Sequence, residues 1–168
     1  MGRSCTLKGK PLTLEGPELK VGDTAPDATL KKDLVNDFSL SSTKGKARIF
    51  SVVPSLDTPV CADQTRRFFK EATALPNVSF FTISCDLPMA MARFCGAEGI
   101  DAERIQNLSD HKDTDFGRKY GTLISDLRIQ SRAVFVVDTN DKLCYVEYVP
   151  EVADHPNYDA ILECARKL

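Results

Sequence analysis

The part of this sequence best suited to chemistry is the stretch around Cys61, which follows Thr58-Pro59-Val60 shortly after an apolar run. Pro59 fits the first position of a helix, where its missing N–H leaves no hydrogen bond unmade. Thr58 is then the predicted N-cap and Cys61 the third helical residue. In a capping box this third position holds Glu or Gln, which binds a free backbone N–H. A thiol at this position could be held as a thiolate, the form of cysteine that acts as a nucleophile.

The helix start alone cannot ionise such a thiol. A free cysteine has a pKa of about 8.5 and is only roughly 3 % thiolate at neutral pH. Lowering that pKa to about 6 takes about 3.4 kcal/mol, whereas the helix dipole supplies about 0.3–1 kcal/mol, so a nearby cation is required. Arg66 and Arg67 lie on the same predicted helix but face away from Cys61. Arg132, at the start of a predicted strand, is a better candidate, although sequence spacing alone does not bring it to Cys61.

Length and composition indicate one domain of ordinary size, covering residues 1–168. The charge is balanced, with 22 Lys and Arg against 24 Asp and Glu and no basic cluster, which argues against a nucleic-acid partner. No apolar run is long enough to cross a bilayer, and the first residues lack the apolar segment of a secretory signal. We therefore expect no membrane partner and a cytoplasmic location.

Six cysteines in a chain expected in the cytoplasm indicate buried or reactive thiols rather than a framework of disulfides. No pair has Cys-x-x-Cys spacing, and neither His111 nor His155 lies in a cysteine cluster, so we expect no zinc and no other metal. Cys144 and Cys164 fall within apolar patterns and are each interpreted as core packing.

The apolar patterns predict an α/β fold in which a central mixed sheet is flanked by helices. Short β-branched and aromatic runs are typical of strands buried on both faces. The predicted strands cover residues 28–31, 37–40, 47–53, 78–83, 133–137 and 143–149. The predicted helices cover residues 59–74, 88–96, 113–120 and 157–168. Leu7 and Leu12-Thr13-Leu14, on either side of Gly9-Lys10, predict an N-terminal β-hairpin.

Several stretches, in order along nearly the whole chain, resemble one protein family. Pro54-x-x-x-Thr58-x-x-Cys61 resembles the active-site signature of the peroxiredoxins, and Ser55-Leu56-Asp57-Thr58-Pro59-Val60-Cys61 resembles that of their thiol peroxidase subfamily. The further stretches similar to that subfamily are Asp86-Leu87-Pro88, Arg93-Phe94-Cys95-Gly96-Ala97-Glu98-Gly99 and Arg132-Ala133-Val134. The resemblance implies a thioredoxin-like fold, a homodimer, an atypical two-cysteine mechanism and no cofactor.

The resemblance also implies a role for each of five residues. Cys61 would be the peroxidatic cysteine, which attacks hydrogen peroxide or an alkyl hydroperoxide and becomes a sulfenic acid. Thr58 would hydrogen-bond the thiolate and the peroxide, Arg132 would stabilise the thiolate and the developing charge, and Pro54 would shield the pocket from water. Cys95 would resolve the sulfenic acid as an intramolecular disulfide, which thioredoxin reduces.

Both of these cysteines fall on predicted helices, with Cys95 at the end of the second, just before Gly96. A disulfide requires Cα atoms within about 7 Å of each other. We therefore expect the first turn around Cys61 and the segment around Cys95 to unwind partly before the sulfurs bond. Cys85 is interpreted as packing, but it remains an alternative partner for either sulfur. The segment 121–131 is shorter than the resemblance predicts.

Three other functions fit parts of the sequence. A peroxide sensor or disulfide relay would use the same oxidation of Cys61 and pass the disulfide to a partner protein. A cysteine hydrolase would need a histidine base, and neither His111 nor His155 lies in a recognisable partner motif. A structural or holdase role leaves the active-site signature without a purpose. The sequence therefore favours a thioredoxin-dependent peroxidase, with the sensor as the alternative.

Overall fold

The computed structural model describes residues 2–168, and its largest element is a seven-stranded sheet. In spatial order its strands are β11 (Leu143–Tyr148), β10 (Ala133–Val137), β5 (Ala47–Val52), β6 (Val78–Ser84), β7 (Ile105–Ser109), β3 (Thr29–Lys31) and β4 (Asp37–Ser39). β5, β6 and β7 run parallel, while β10 is antiparallel to both β5 and β11. The predicted mixed sheet is confirmed.

A second sheet of four strands contains the N-terminal hairpin. Its strands are β1 (Arg3–Leu7), β2 (Lys10–Glu15), β8 (Leu123–Ile124) and β9 (Ile129–Gln130). The predicted hairpin is confirmed, and its turn residues Lys8 and Gly9 have φ values of 52° and 77°, as two-residue hairpin turns favour. The short segment 121–131 pairs β8 with β9 and adds β8 to β2.

Four α-helices lie within the described residues: α1 (Pro59–Ala72), α2 (Pro88–Glu98), α3 (Asp115–Tyr120) and α4 (Tyr158–Arg166). The predicted end of α2 at Gly96 is wrong, because the helix continues to Gly99, which has a left-handed φ of 67°. A glycine ends a helix where the left-handed conformation is needed, and Gly96 stays helical. Cys95 therefore lies inside a continuous helix. None of the helices in residues 2–168 has the length and apolar character to span a bilayer.

The central sheet is covered on both faces. Along β5, Phe50 points to one face and packs against Phe116 and Tyr120 of α3, whose ring centroids are 4.0 Å apart. Its neighbour Ile49 points to the other face and packs with Phe68 of α1 and with α4. α1 therefore lies over the sheet, with its first turn just beyond the end of β5.

Candidate active site

Cys61 lies where the sequence predicts, as the third residue of α1, and its side chain is fully buried. Thr58 is the N-cap, with an extended φ of −124°, and Pro59 is the first helical residue. The Thr58 hydroxyl does not cap the helix, since it donates to the Ser55 carbonyl at 3.0 Å. The positive end of the helix dipole is therefore available to the Cys61 sulfur rather than to a capping side chain.

Arg132 reaches Cys61 because of the register between β5 and β10. The strands are antiparallel and Ala133 pairs with Val52, so residue 132 lies beside the end of β5, where the chain leads to α1. Arg132 Nη2 donates to the Cys61 sulfur at 3.2 Å across 71 positions of sequence. Only 2 % of Arg132 is exposed. A guanidinium keeps its charge at any working pH, so this contact places a fixed positive charge beside the sulfur.

Two neutral groups hold the guanidinium of Arg132 in place. Nη1 donates to Gln64 Oε1 at 2.7 Å, and Nε donates to the Val152 carbonyl at 2.8 Å. Gln64 is completely buried, and its own Nε2 donates to Ser51 Oγ at 2.7 Å. No ion pair among residues 2–168 includes Arg132. Its positive charge therefore acts on the sulfur without a competing carboxylate.

Gln64 was not foreseen as part of the site, although the sequence carries a signal for it. It follows Cys61 by three residues, a spacing that places both side chains on one face of a helix. A polar residue that shares the buried face with a cysteine must find a hydrogen-bond partner there. The partner is Arg132, which only the fold brings to that face.

The other nearby cations are engaged elsewhere, in agreement with their predicted helix positions. Arg66 donates to Asp63 at 2.7 Å and to Glu98 at 2.6 Å. Arg67 lies over the ring of Tyr158, 4.7 Å from the ring centroid. Both arginine side chains are 46 % exposed, so solvent screens their charges.

A carboxylate just beyond the end of β6 fastens the loop that leads into α1. Asp86 accepts hydrogen bonds from Ser55 Oγ at 2.7 Å, from the Leu56 N–H at 2.8 Å and from Ser84 Oγ at 2.7 Å. Leu56 packs against Cys61, so Asp86 determines where part of the wall around the sulfur lies. The sequence indicated Asp86 only within a resembling stretch, because two of its partners are 31 and 30 positions away.

Apart from the guanidinium of Arg132, the side chains packed around the Cys61 sulfur are apolar: Val53, Leu56, Met91 and the partly buried Phe94. Pro54 is buried in the same loop. A groove of about 820 Å³ lies between this loop and α2, and Leu56 and Phe94 line it as well. Leu56 and Phe94 thus border both the groove and the apolar cluster that contains Cys61.

Cys95 does not touch Cys61 in this structure. It is 4 % exposed and packs in a different apolar cluster. Asn107 Nδ2 donates to its sulfur at 2.7 Å, and burial raises the pKa of the Cys95 thiol. Met91, one turn earlier on α2, packs in the Cys61 cluster, so one helix reaches both cysteines. All six cysteines are free thiols, which makes this the reduced arrangement.

The remaining cysteines lie outside this arrangement. Cys85 accepts a hydrogen bond from Gln130 Nε2 at 3.6 Å, and burial, followed by the charge of Asp110, raises its pKa to about 11. Cys144 and Cys164, each expected in the core, are half-buried with their sulfurs 3.3 Å apart. In the part of the chain that the structure describes, no three His, Cys, Asp or Glu side chains gather where they could hold a metal ion.

Known proteins resemble this chain over most of its length. The family described as Redoxin matches residues 20–162. A thiol peroxidase from Oceanobacillus iheyensis is 57 % identical over 165 residues, which cover 96 % of this chain and 98 % of that protein. A thiol peroxidase from Bacillus subtilis is 52 % identical over 163 residues, covering 97 % and 96 %. The crystal structure of a peroxiredoxin-like protein from Aquifex aeolicus matches with a TM-score of 0.90 at 38 % identity, covering 99 % of this chain and 98 % of that one. The predicted fold class is thereby confirmed.

Proposed function

The chain belongs to the redoxin family, in the thiol peroxidase branch of the peroxiredoxins, and we propose that Cys61 is the sulfur that attacks the peroxide. The activity is thiol-dependent reduction of peroxides. The observation that carries the assignment is the contact of 3.2 Å between the Cys61 sulfur and the buried guanidinium of Arg132. No other cysteine among residues 2–168 accepts a hydrogen bond from a lysine or arginine.

The first step is a displacement at oxygen. The Cys61 thiolate attacks one peroxide oxygen, and the S–O bond forms as the O–O bond breaks. The other oxygen leaves as hydroxide or alkoxide and takes up a proton to become water or an alcohol. Arg132 stabilises the thiolate before the reaction and the negative charge on the oxygens during it. The exposed Thr58 hydroxyl exchanges its bond to the Ser55 carbonyl for one to the peroxide, while Pro54 keeps water from the sulfur.

Cys95 then resolves the sulfenic acid. Its sulfur attacks the oxidised sulfur of Cys61, the S–S bond forms, and water leaves. Met91 already packs against Cys61, and Cys95 lies one helical turn further, about 6 Å along the axis of α2. The first turn of α1 and the part of α2 around Cys95 therefore unwind, and the bond from Asn107 to the Cys95 sulfur breaks. Oxidation should speed amide exchange in residues 59–64 and 90–97, and equal protection in both redox forms would contradict this step.

The resolved disulfide needs a dithiol that reduces it by exchange, and thioredoxin is the reductant of the required class. A cytoplasmic location suits this cycle, because thioredoxin keeps thiols reduced there. Residues 1–168 would act as one domain, and two copies would form a homodimer, as the family resemblance implies. Light scattering on the protein as it elutes from a size-exclusion column measures its molar mass. The mass of a single chain would contradict the dimer.

A peptide map after one equivalent of hydrogen peroxide per chain tests the pairing of Cys61 with Cys95. Trypsin separates Cys61, Cys85 and Cys95 into three peptides, residues 49–66, 71–93 and 94–104. We expect the first and the third to be joined by a disulfide. A bond between the first and the second would instead assign resolution to Cys85.

Sustained turnover separates the peroxidase from the sensor. With thioredoxin, thioredoxin reductase and NADPH, we expect peroxide consumption to continue through many cycles and to disappear in Cys61→Ser. Cys5→Ser, a substitution in the N-terminal sheet, is the matched control and should keep the activity. A wild-type chain that oxidises once and then stalls would favour the sensor or relay.

A further inference from the structure

Cys144 and Cys164 form a second pair of thiols, remote from Cys61 in the fold. Cys144 lies on β11 at the edge of the central sheet, and Cys164 lies on α4, which packs against β10 and β11. The Cys164 thiol donates to the Cys144 sulfur at 3.3 Å, and the Cys144 thiol donates to the Val136 carbonyl at 3.4 Å. Both cysteines are half-buried, so a small oxidant in solvent can reach the pair.

We propose that Cys144 and Cys164 are a second redox-active dithiol, which closes to an intramolecular disulfide when peroxide is in excess. A disulfide bond is about 2.05 Å long, so sulfurs that now lie 3.3 Å apart must approach by about 1.3 Å. Cys164 is in the last turn of α4, and residues 166–168 beyond it are exposed. Ala165 of the same turn is buried in the core, so the approach takes a small shift of this turn rather than its release.

The reaction needs only a hydroperoxide, the substrate of the established activity. One thiol of the pair loses its proton and attacks a peroxide oxygen, so that an S–O bond forms, the O–O bond breaks, and hydroxide leaves as water after protonation. The second thiol attacks the sulfenic sulfur, the S–S bond forms, and a second water leaves. With hydrogen peroxide, two thiols and one peroxide give one disulfide and two waters, and the pair loses the two electrons that the peroxide gains. Exchange with a dithiol restores the two thiols.

This pair lacks the cation that acts on Cys61. Among the described residues, neither sulfur accepts a hydrogen bond from an arginine or a lysine. Burial, followed by the hydrogen bond and charge of Cys164, raises the pKa of Cys144 to about 12. Because the thiolate is the reactive form, the pair is oxidised after Cys61 and only when peroxide exceeds what that site consumes. The disulfide then joins the last helix to the edge strand and marks chains that have met sustained peroxide.

The test uses the full wild-type chain with one equivalent or a large excess of hydrogen peroxide, followed by alkylation and digestion without reductant. Trypsin releases residues 143–166 as one peptide that contains both cysteines. A disulfide in it appears as the loss of two hydrogens and of both alkyl groups. A glutamate-specific protease then cuts after Glu163, so that Cys164 stays attached to the Cys144 fragment only through a disulfide. We expect two alkylated thiols after one equivalent and the closed disulfide after excess.

Cys144→Ser is the matched control, in which Cys164 should be alkylated or oxidised by itself and the attachment after the second digestion should be lost. Two alkylated thiols in the wild-type chain after excess peroxide, or two separate sulfinic acids, would overturn the proposal. The one-equivalent sample reports the Cys61–Cys95 disulfide in peptides 49–66 and 94–104. The absence of a disulfide in either pair of cysteines is therefore detected independently of the other pair.

Discussion

Strand β10 has a cysteine sulfur near each of its ends. One sulfur accepts a hydrogen bond from a cation, and the other donates a hydrogen bond to a carbonyl. Before its first residue, Arg132 donates to the Cys61 sulfur at 3.2 Å. Near its last residue, the Cys144 sulfur donates to the Val136 carbonyl at 3.4 Å. A cationic donor favours the thiolate, whereas a carbonyl acceptor favours the thiol. The two sulfurs thus differ in hydrogen-bond partner as well as in burial, since Cys61 is fully buried and Cys144 is half-buried.

The two pairs of thiols also differ in what limits their reaction. Cys144 and Cys164 already touch but have no cation beside them, so the first attack on peroxide is slow. Cys61 has a cation, but Cys95 packs in another cluster, so the disulfide that we propose between them requires the chain to rearrange. Contact between two sulfurs and a cation beside one of them are thus separate properties, and the fold provides each at a different place.

Removal of the guanidinium should make Cys61 react as slowly as the thiols at the other end of β10. We expect Arg132→Met to lower the second-order rate constant for peroxide by about 10²–10³, the loss typical of one charge-stabilising donor. Stopped-flow measurement of the first oxidation gives this constant directly. Arg67→Met removes an equal charge from the ring of Tyr158 and should keep most of the rate. An unchanged rate in a folded Arg132→Met chain would remove the basis of the comparison.

The pH dependence of alkylation at Cys144 should test the other half of this comparison. The pKa of Cys144 is raised to about 12, mainly by burial, so its thiolate is a small fraction that grows as pH rises. Its reaction with iodoacetamide should accelerate about tenfold per pH unit, roughly 10² between pH 7 and pH 9. Mass spectrometry after digestion of peptide 143–166 with the glutamate-specific protease, which separates Cys144 from Cys164, follows the reaction. Equal rates at both pH values would mean that Cys144 is not held as a thiol.

Loss of a group that positions Arg132 should have a smaller effect than loss of Arg132 itself. Gln64→Leu removes the acceptor of Nη1 and should lower the rate constant for peroxide by about tenfold. Gln130→Leu is the matched control, since this buried glutamine lies beside Cys85 and away from the guanidinium. Both variants should lose stability, but only the first should react more slowly. A slow Gln130→Leu chain would indicate a general loss of structure.

The smallest effect is expected where a carboxylate only fastens a loop. Asp86→Asn loses one of the three hydrogen bonds that Asp86 accepts, two of which hold the loop before α1, so the free energy of unfolding should fall by about 1 kcal/mol, with a modest decrease in peroxide rate. Asp138→Asn weakens the turn between β10 and β11, where Asp138 accepts from the Asn140 and Lys142 N–H groups. Urea denaturation should show similar losses of stability in both. Equal rate constants for peroxide in the two variants would show that Asp86 has no influence on the reaction of Cys61.

Local features were readable from the sequence. The first turn of α1 begins at Pro59 with Cys61 in its third position, because N-cap and first-turn preferences depend on neighbouring residues. The long apolar strands were also predicted, because their pattern of β-branched and aromatic residues is likewise local in sequence. β7 was not predicted, since Ile105-Gln-Asn-Leu-Ser109 has a weak apolar pattern and becomes a strand by pairing with β6 and β3. The predicted end of α2 at Gly96 was also wrong, because Gly96 is helical and Gly99 adopts the left-handed conformation that ends the helix.

By itself, the sequence therefore determined which cysteine stands at a helix start and which segments form the core. The resemblance to the thiol peroxidases pointed to Arg132, but the contact of Arg132 with Cys61 depends on the antiparallel register of β10 on β5. The bonds of Gln64 to Arg132 and of Cys164 to Cys144 likewise join different elements. Only the tertiary structure decided these contacts, because strand register and helix packing are set by the whole core and leave no mark on the local spacing of residues.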